Sequence, residues 1–160
     1  MKTIHFALLL FLTVLASQPL VAQESAASFN VRDLEGKQYS LEDLNGKIVV
    51  LNFWFVQCKP CVMEMPELNE LVQKYQNEDV VFLAFALNGK AEVERFLKKK
   101  DFSYQIVPDA QAMAEQYFVG GYPTHIIIDQ TGQIVYRQMG FGPTTVGDLN
   151  RKVEMLLTVK

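Results

Sequence analysis

Residues 48–61 read Ile-Val-Val-Leu-Asn-Phe-Trp-Phe-Val-Gln-Cys-Lys-Pro-Cys, an apolar run followed by two cysteines three residues apart. The length and β-branched content of the run predict a central strand that is buried on both faces. A helix is predicted to start near Lys59 and Pro60, because proline fits the first helical turn. A Cys-x-x-Cys at such a junction can cycle between a dithiol and a disulfide. Residues i and i+3 share one helical face, and their Cα atoms then fall within the roughly 4.4–6.8 Å that a disulfide requires.

Length and composition indicate a globular protein with one full hydrophobic core. The chain has 160 residues, of which 49% are hydrophobic, and this length suits a single domain. The formal net charge is −3, and the sequence contains no basic patch of the kind that binds nucleic acids. We therefore expect no nucleic-acid partner, and we expect a monomer.

The first 22 residues have the layout of a secretory signal peptide rather than of a folded segment. Lys2 gives a positive start, residues 4–15 are almost wholly apolar, and a small and polar stretch leads to Ala22. The apolar core is too short for a comfortable membrane span. Cleavage after Ala22 would leave a domain of residues 23–160 in an exported, periplasmic or other extracytoplasmic location. Because Leu20 is large for the −3 position, an uncleaved membrane anchor is the alternative.

Cys58 and Cys61 are the only cysteines in the chain, and export leaves three interpretations of them. A redox pair fits the spacing. A structural disulfide usually closes a long loop, where the entropic gain is larger, whereas this one would close almost nothing. A closed zinc site takes four ligands, and residues 23–160 offer only these two cysteines and His125. The pattern favours the redox pair and predicts neither a metal site nor a cofactor.

The pattern of apolar residues predicts an α/β chain. Strands are predicted at 29–33, 38–40, 48–55, 80–87, 105–107, 124–129 and 133–139, and helices from 59 to about 75 and at 91–100, 110–117 and 144–157. Residues 23–27 are expected to be a loose lead-in, and Gly120 and Gly121 to stop the helix before them. This order requires parallel strand pairs with crossover helices, followed by an antiparallel hairpin.

With these motifs the chain resembles the thioredoxin superfamily, and more closely its exported TlpA/ResA-like branch. The resemblance covers about residues 28–158. It rests on Asn-Phe-Trp before the cysteine pair, Pro66 in the following helix, Gly-Tyr-Pro-Thr at 121–124 and the closing hairpin around 128–135. It also rests on the N-terminal stretch 33–47. The resemblance implies a thioredoxin-like three-layer fold, in which helices flank a central mixed sheet that carries an N-terminal β-hairpin extension.

The resemblance also implies a set of site residues. Cys58 matches the attacking thiol, Cys61 the resolving thiol, and Pro123 the cis-proline that faces the pair. Tyr122, just before it, would present backbone groups to a bound polypeptide. Trp54 is expected chiefly to pack in the core, with shielding of the disulfide as its second role, and it is also a candidate for contact with the substrate.

Glu64 follows Cys61 by three residues, where ResA-like members carry an acid near the active site. The two residues share a helical face, so the carboxylate could relay the proton of the resolving thiol. The alternative is an ordinary solvent-facing charge. Asn52 occupies the position of a buried aspartate in thioredoxin and cannot titrate, which leaves Glu64 as the nearby acid candidate. Gln57 replaces the aromatic residue that usually precedes the first cysteine.

The function implied by the resemblance is an exported thiol–disulfide oxidoreductase that reduces disulfides in specific exported proteins, with cytochrome c maturation as one family-typical task. A membrane thiol donor of the DsbD/CcdA type would supply its electrons. A thiol peroxidase is one alternative, although such sites usually present Thr-x-x-Cys and here Phe55 stands at the threonine position. A non-catalytic peptide-binding module with a static disulfide is the other.

Overall fold

The computed structural model describes residues 24–158, so the predicted signal peptide lies outside the described residues. Twelve elements occur in this range. The strands are β1 (Glu24–Ser25), β2 (Asn30–Arg32), β3 (Gln38–Ser40), β4 (Ile48–Trp54), β5 (Val80–Ala86), β6 (Gln105–Val107), β7 (Thr124–Ile128) and β8 (Gln133–Met139). The helices are α1 (Lys59–Lys74), α2 (Lys90–Leu97), α3 (Gln111–Gln116) and α4 (Thr145–Thr158).

Six of the strands form one mixed sheet in the order β1-β8-β7-β4-β5-β6, and β2 and β3 form a separate hairpin. β4, β5 and β6 run parallel to one another, as the crossover helices require. β7 is antiparallel to β4, and β8 is antiparallel to β7. The predicted central mixed sheet and the N-terminal hairpin extension are therefore confirmed.

The apolar run of the sequence forms β4, and all seven residues of this strand are buried. Successive side chains point to opposite faces of a sheet. Val50 and Trp54 face a core cluster that contains the buried residues of α1 and α4, and Leu51 and Phe53 face a second cluster with α3 and the β2–β3 hairpin. The sheet thus forms the middle of three layers. The cysteine pair follows the C-terminal end of β4, at one end of the sheet.

Two local expectations are wrong. Residues 24–25 are not a loose lead-in but pair with β8, with Glu24 opposite Ile134. This strand is short and polar, so its own sequence does not indicate a strand, and it is recognised only by its pairing with β8. The helix α3 is not stopped by Gly120 and Gly121 either. It ends at Gln116, and the left-handed residue after it is Phe118, with φ 51°, an uncommon conformation for a bulky side chain.

The helices of residues 24–158 are all too short or too polar to cross a membrane. α1 is the longest at 16 residues and continues through Pro66. Met65, Leu68 and Leu71 form its buried apolar stripe. The same face of α1 carries the side chains that form the candidate site.

Candidate active site

Cys58 and Cys61 lie where the loop after β4 enters α1. Cys58 is the N-cap residue of the helix, and its Sγ accepts a hydrogen bond from the backbone N–H of Cys61 at 3.3 Å. The two residues form a disulfide with a Cα–Cα distance of 5.3 Å. Cys58 is 4% exposed and Cys61 1% exposed, so the first sulfur is the slightly more accessible one. The predicted pairing at the start of a helix is confirmed.

The local electrostatics favour negative charge on the sulfur of Cys58. The backbone N–H groups of the first turn of α1 point toward the cap, and the helix dipole adds partial positive charge there. The first turn of α1 contains no acidic residue, and Lys59 follows Cys58 directly. These features stabilise a thiolate, which is the form that attacks disulfides.

The approach to Cys58 is fixed by Asn88, a residue that the sequence analysis did not identify. Asn88 follows β5, and its Oδ1 accepts a hydrogen bond of 2.8 Å from the backbone N–H of Val56. Its amide nitrogen donates to Gln57 at 3.4 Å, and Gln57 in turn donates to Glu92 of α2 at 2.6 Å. The loop between β4 and Cys58 is thereby tied to the neighbouring parallel strand and its helix.

The Tyr122–Pro123 peptide bond is cis, as predicted for Pro123. The next residue, Thr124, begins β7 and pairs with Phe53 on β4. The cis bond therefore lies at the end of the sheet from which the chain continues to Cys58. The ring of Tyr122 packs edge-on against Phe55 of that loop, with 5.5 Å between ring centroids. The substrate-binding role of Tyr122 and Pro123 stays a prediction.

Trp54 belongs to the core and not to an accessible binding surface. Its side chain is fully buried, and its ring packs against Phe96 and Phe102 at centroid distances of 5.4 and 5.5 Å. A substrate cannot contact a side chain without accessible surface, so the prediction of substrate contact by Trp54 is wrong. The expected packing of Trp54 in the core is confirmed.

Glu64 is fully buried on the face of α1 that also carries Cys61, so the solvent-facing alternative for this carboxylate is wrong. Its Oε1 accepts a hydrogen bond from Asn52 Nδ2 at 3.0 Å. Its Oε2 lies 3.0 Å from His125 Nε2. A carboxylate removed from water needs such partners, because an unpaired buried charge is very costly.

His125 and Asn52 complete a buried polar cluster that the sequence analysis missed. Asn52 is the polar residue of an otherwise apolar β4, His125 precedes the apolar run of β7, and the two are directly opposite each other. Asn52 Nδ2 is 3.3 Å from His125 Nδ1. The available signal was that a polar group in a strand buried on both faces requires a partner. Only the strand register identifies that partner.

Within the part of the chain that the structure describes, no three side chains of histidine, cysteine, aspartate or glutamate are placed to hold a metal ion. The site consists of a thiol pair at a helix N-terminus, a cis-proline loop at the same end of the sheet, and a buried carboxylate on the helix face shared with Cys61. This arrangement can exchange disulfides.

Comparison with known proteins agrees with this geometry. The AhpC/TSA family model matches residues 22–137. Thiol-disulfide oxidoreductase ResA from Bacillus cereus is 40% identical over 119 residues, which cover 73% of this chain and 69% of the relative. ResA from Geobacillus thermodenitrificans is 37% identical over 134 residues, which cover 82% of this chain and 76% of the relative.

A solved structure extends the agreement to the whole fold. The crystal structure of a candidate thiol:disulfide interchange protein DsbE from Chlorobium tepidum superposes with a TM-score of 0.78 and 25% identity. The match covers 84% of this chain and 96% of that one. Because the family model spans more than half of the chain and the ResA relatives share more than a third of the aligned residues, this chain belongs to the AhpC/TSA family of thioredoxin-like proteins.

Proposed function

We propose that this protein is an exported thiol–disulfide oxidoreductase that reduces disulfides in other exported proteins. The observation that carries the proposal is the Cys58–Cys61 disulfide at the N-terminus of α1, where Cys58 caps the helix. Its relatives named thiol-disulfide oxidoreductase ResA support the same activity. A disulfide between residues three apart closes a very short loop and therefore adds little to the stability of the fold, which argues against a purely structural role.

The reaction transfers two electrons from the dithiol to the substrate. The Cys58 thiolate attacks one sulfur of a substrate disulfide, so that a mixed disulfide forms and the other substrate sulfur leaves as a thiolate. The Cys61 thiolate then attacks Cys58 Sγ, and the second substrate sulfur leaves. Each released thiolate takes up a proton, and the Cys58–Cys61 disulfide is the oxidised product. Tyr122 and Pro123 would hold the substrate segment through backbone pairing.

Glu64 is the proton acceptor that we propose for the resolving step. Cys61 must lose its proton before it can attack, and its surroundings are buried. Glu64 lies one helical turn away on the same face, where its carboxylate can take the thiol proton while the new disulfide forms. The catalytic residues are then Cys58, Cys61 and Glu64.

The direction of exchange in the cell depends on the reduction potential. Lys59 is the positive side chain next to the thiolate, and Pro60 resembles the reducing members of the superfamily. We expect a potential near that of thioredoxin, about −270 mV, rather than near the strong oxidant DsbA at about −120 mV. Equilibration with a thiol buffer of known potential measures it. A value above about −180 mV would reverse the direction and indicate an oxidase or isomerase.

Trapping of intermediates tests the two cysteine roles. Cys61→Ser should accumulate mixed disulfides with a protein substrate, because the resolving step is missing. Cys58→Ser should accumulate none, because no attack occurs. Non-reducing gels and mass spectrometry of the linked peptides give the readout. Equal trapping by both variants would overturn the assignment, and consumption of peroxide by the reduced protein without a disulfide substrate would favour a thiol peroxidase instead.

The cellular context follows from the same proposal. A reductant in an oxidising compartment needs electrons from outside that compartment, and a membrane thiol donor of the DsbD/CcdA type would supply them. Apocytochrome c is the substrate that we propose first, with the protein acting as a monomer. A deletion strain should lose c-type cytochromes, and a gene carrying Cys58→Ser should not restore them. Normal cytochrome content in the deletion strain would leave reduction of other exported proteins as the function.

A further inference from the structure

We propose that His125 is a neutral hydrogen-bond donor that holds Glu64 ionised and in position, and that Asn52 fixes the tautomer of His125. The three side chains come from β7, α1 and β4 and are almost completely inaccessible to solvent. His125 is thus a positioning residue for the proton acceptor of the resolving step. The functional part of this inference rests on the proposed oxidoreductase activity, whereas the tautomer does not.

The hydrogen-bond pattern determines where the protons are. Asn52 Nδ2 is within reach of two acceptors, Glu64 Oε1 at 3.0 Å and His125 Nδ1 at 3.3 Å. An amide nitrogen has two hydrogens to donate and accepts none. His125 Nδ1 must therefore be the unprotonated nitrogen of the ring. The proton of the neutral imidazole is then on Nε2, which donates to Glu64 Oε2 at 3.0 Å.

The reverse orientation of the Asn52 amide does not satisfy the cluster. It would place the amide oxygen against a carboxylate oxygen of Glu64 and against the ring nitrogen of His125, so both contacts would need additional protons. In the orientation with nitrogen toward the cluster, both amide hydrogens, the ring N–H and both carboxylate oxygens have partners. Pairing of buried polar groups is what native structures show, and this pairing assigns Glu64 as the carboxylate.

This arrangement suits a group that must accept a proton. Hydrogen bonds donated to a carboxylate favour its charged form, which burial alone would disfavour. Each carboxylate oxygen has two lone pairs, so the bonds from Asn52 and His125 leave room for the proton of Cys61. Proton transfer from Cys61 to Glu64 then breaks none of the bonds within the cluster.

Among residues 24–158, the titratable side chain that contacts Glu64 is His125 on β7, and β4 contributes the amide of Asn52. On α1, the thiols of Cys58 and Cys61 are the other titratable groups of the site. Just before β6, Tyr104 is close enough for the two charges to interact. Burial raises the pKa of the Tyr104 phenol well above its usual range, and the charge of Glu64 raises it further. Tyr104 therefore stays neutral and does not compete for the proton at physiological pH.

The pH profile of the resolving step tests the role of His125. The full-length mature protein, reduced, is mixed with oxidised glutathione at concentrations where the rate no longer rises with glutathione, so that attack by Cys61 is limiting. The single tryptophan, Trp54, lies in the same core cluster as the cysteines and provides the fluorescence signal. His125→Leu removes the donor, His125→Gln keeps an N–H donor without a titratable ring, and Tyr104→Phe is the control.

We expect His125→Leu to displace the profile to higher pH and to slow the step by up to about tenfold on the acid side of the profile, since a hydrogen bond to a charged group is lost. His125→Gln should recover most of this loss, because its amide can donate to Glu64. Tyr104→Phe should match the wild type. A wild-type profile for His125→Leu would overturn the proposal, and so would a His125→Gln variant as slow as His125→Leu, which would point to an imidazolium.

The tautomer is tested independently by nitrogen NMR of the wild-type protein with labelled histidine. We expect protonated Nε2 and unprotonated Nδ1 in the His125 ring at pH 7. A ring protonated on Nδ1, or on both nitrogens, would disprove the assignment. If the wild-type protein exchanges no disulfide at all, the proposed function fails, and this spectrum still decides how His125 holds Glu64.

Discussion

Tyr104 packs in the same core cluster as Cys61, and its hydroxyl has no hydrogen-bond partner among residues 24–158. Burial raises the pKa of this phenol well above that of the unfolded chain. The folded protein therefore keeps the proton that the unfolded chain loses above about pH 10. The stability that comes from the neutral phenol is complete below that pH and falls as pH rises above it.

We therefore expect Tyr104→Phe to be at least as stable as the wild type at pH 7, because the removed hydroxyl makes no bond. At pH 11 it should be clearly more stable, because it lacks the ionisable group. Urea unfolding at the two pH values measures both. Tyr75→Phe is the matched control: its hydroxyl donates to Asn150 at 2.8 Å, so its loss should cost about 1 kcal/mol at pH 7. Lower stability of Tyr104→Phe at pH 11 would contradict the assignment.

Glu64→Gln tests the proton acceptor at the level of one atom. The amide cannot accept a proton at physiological pH, and its NH₂ group would face a donor, either Asn52 or His125. We expect the resolving step to slow by about tenfold or more at pH 7 and its pH dependence to flatten. Glu67→Gln, an exposed change on the same helix, should leave the profile unchanged. An unaltered profile for Glu64→Gln would reduce Glu64 to a structural residue.

The site residues that lie in short sequence motifs were predictable from sequence, and the contacts between residues far apart in the chain were not. Cys58, Cys61 and Pro123 stand in short motifs whose geometry is local. Glu64 was identified by the family resemblance and by its spacing from Cys61, but its burial was left open. His125 is 61 residues from Glu64 along the chain. Their meeting depends on the register of β7 against β4 and on how α1 packs across both strands, which no single stretch of sequence encodes.

The strands and helices show the same division between those that the sequence predicts and those that it does not. Long apolar runs predicted β4, β5 and β7 closely, because strands buried on both faces have little freedom in composition. β1 was missed, because two exposed polar residues have no pattern of their own. The end of α3 was misplaced because Phe118 adopts a left-handed conformation that glycine usually provides. Elements whose bounds depend on a partner rather than on their own pattern are the ones that sequence leaves undefined.

Asn88, which follows β5, is hydrogen-bonded to the loop between β4 and Cys58, and its removal should loosen that loop. Asn88→Ala deprives the Val56 N–H of its acceptor and Gln57 of a donor. We expect a loss of about 1–2 kcal/mol in the free energy of unfolding and faster hydrogen exchange at the Val56 amide. Asn88→Asp keeps the acceptor for Val56 and should protect that amide almost as well as the wild type. Unchanged exchange in Asn88→Ala would show that the loop is held by packing alone.

At the scale of the whole molecule, the family resemblance implied the three-layer architecture, whereas the N-terminal boundary of the fold was not predicted. Residues 24–28 are attached to the sheet and to α3. Ala26 N–H donates to Gly132 at 2.9 Å, and Tyr117 Oη donates to the carbonyl of Ala27 at 2.7 Å. Gln116 donates to the carbonyl of Ser28 at 2.7 Å. A signal peptide cleaved after Ala22 would therefore leave every one of these contacts in place.

We expect mass spectrometry of the exported protein to show a chain that starts near Gln23. A chain that starts at Gln23 should unfold at the temperature of the exported protein. One that starts at Phe29 loses β1 and the bonds to Ala27 and Ser28, which should cost about 2–3 kcal/mol and lower Tm by several degrees. Calorimetry of the two chains measures the difference. Equal Tm values would show that β1 adds nothing to the fold, and an intact Met1 on membrane-bound protein would instead establish an uncleaved anchor.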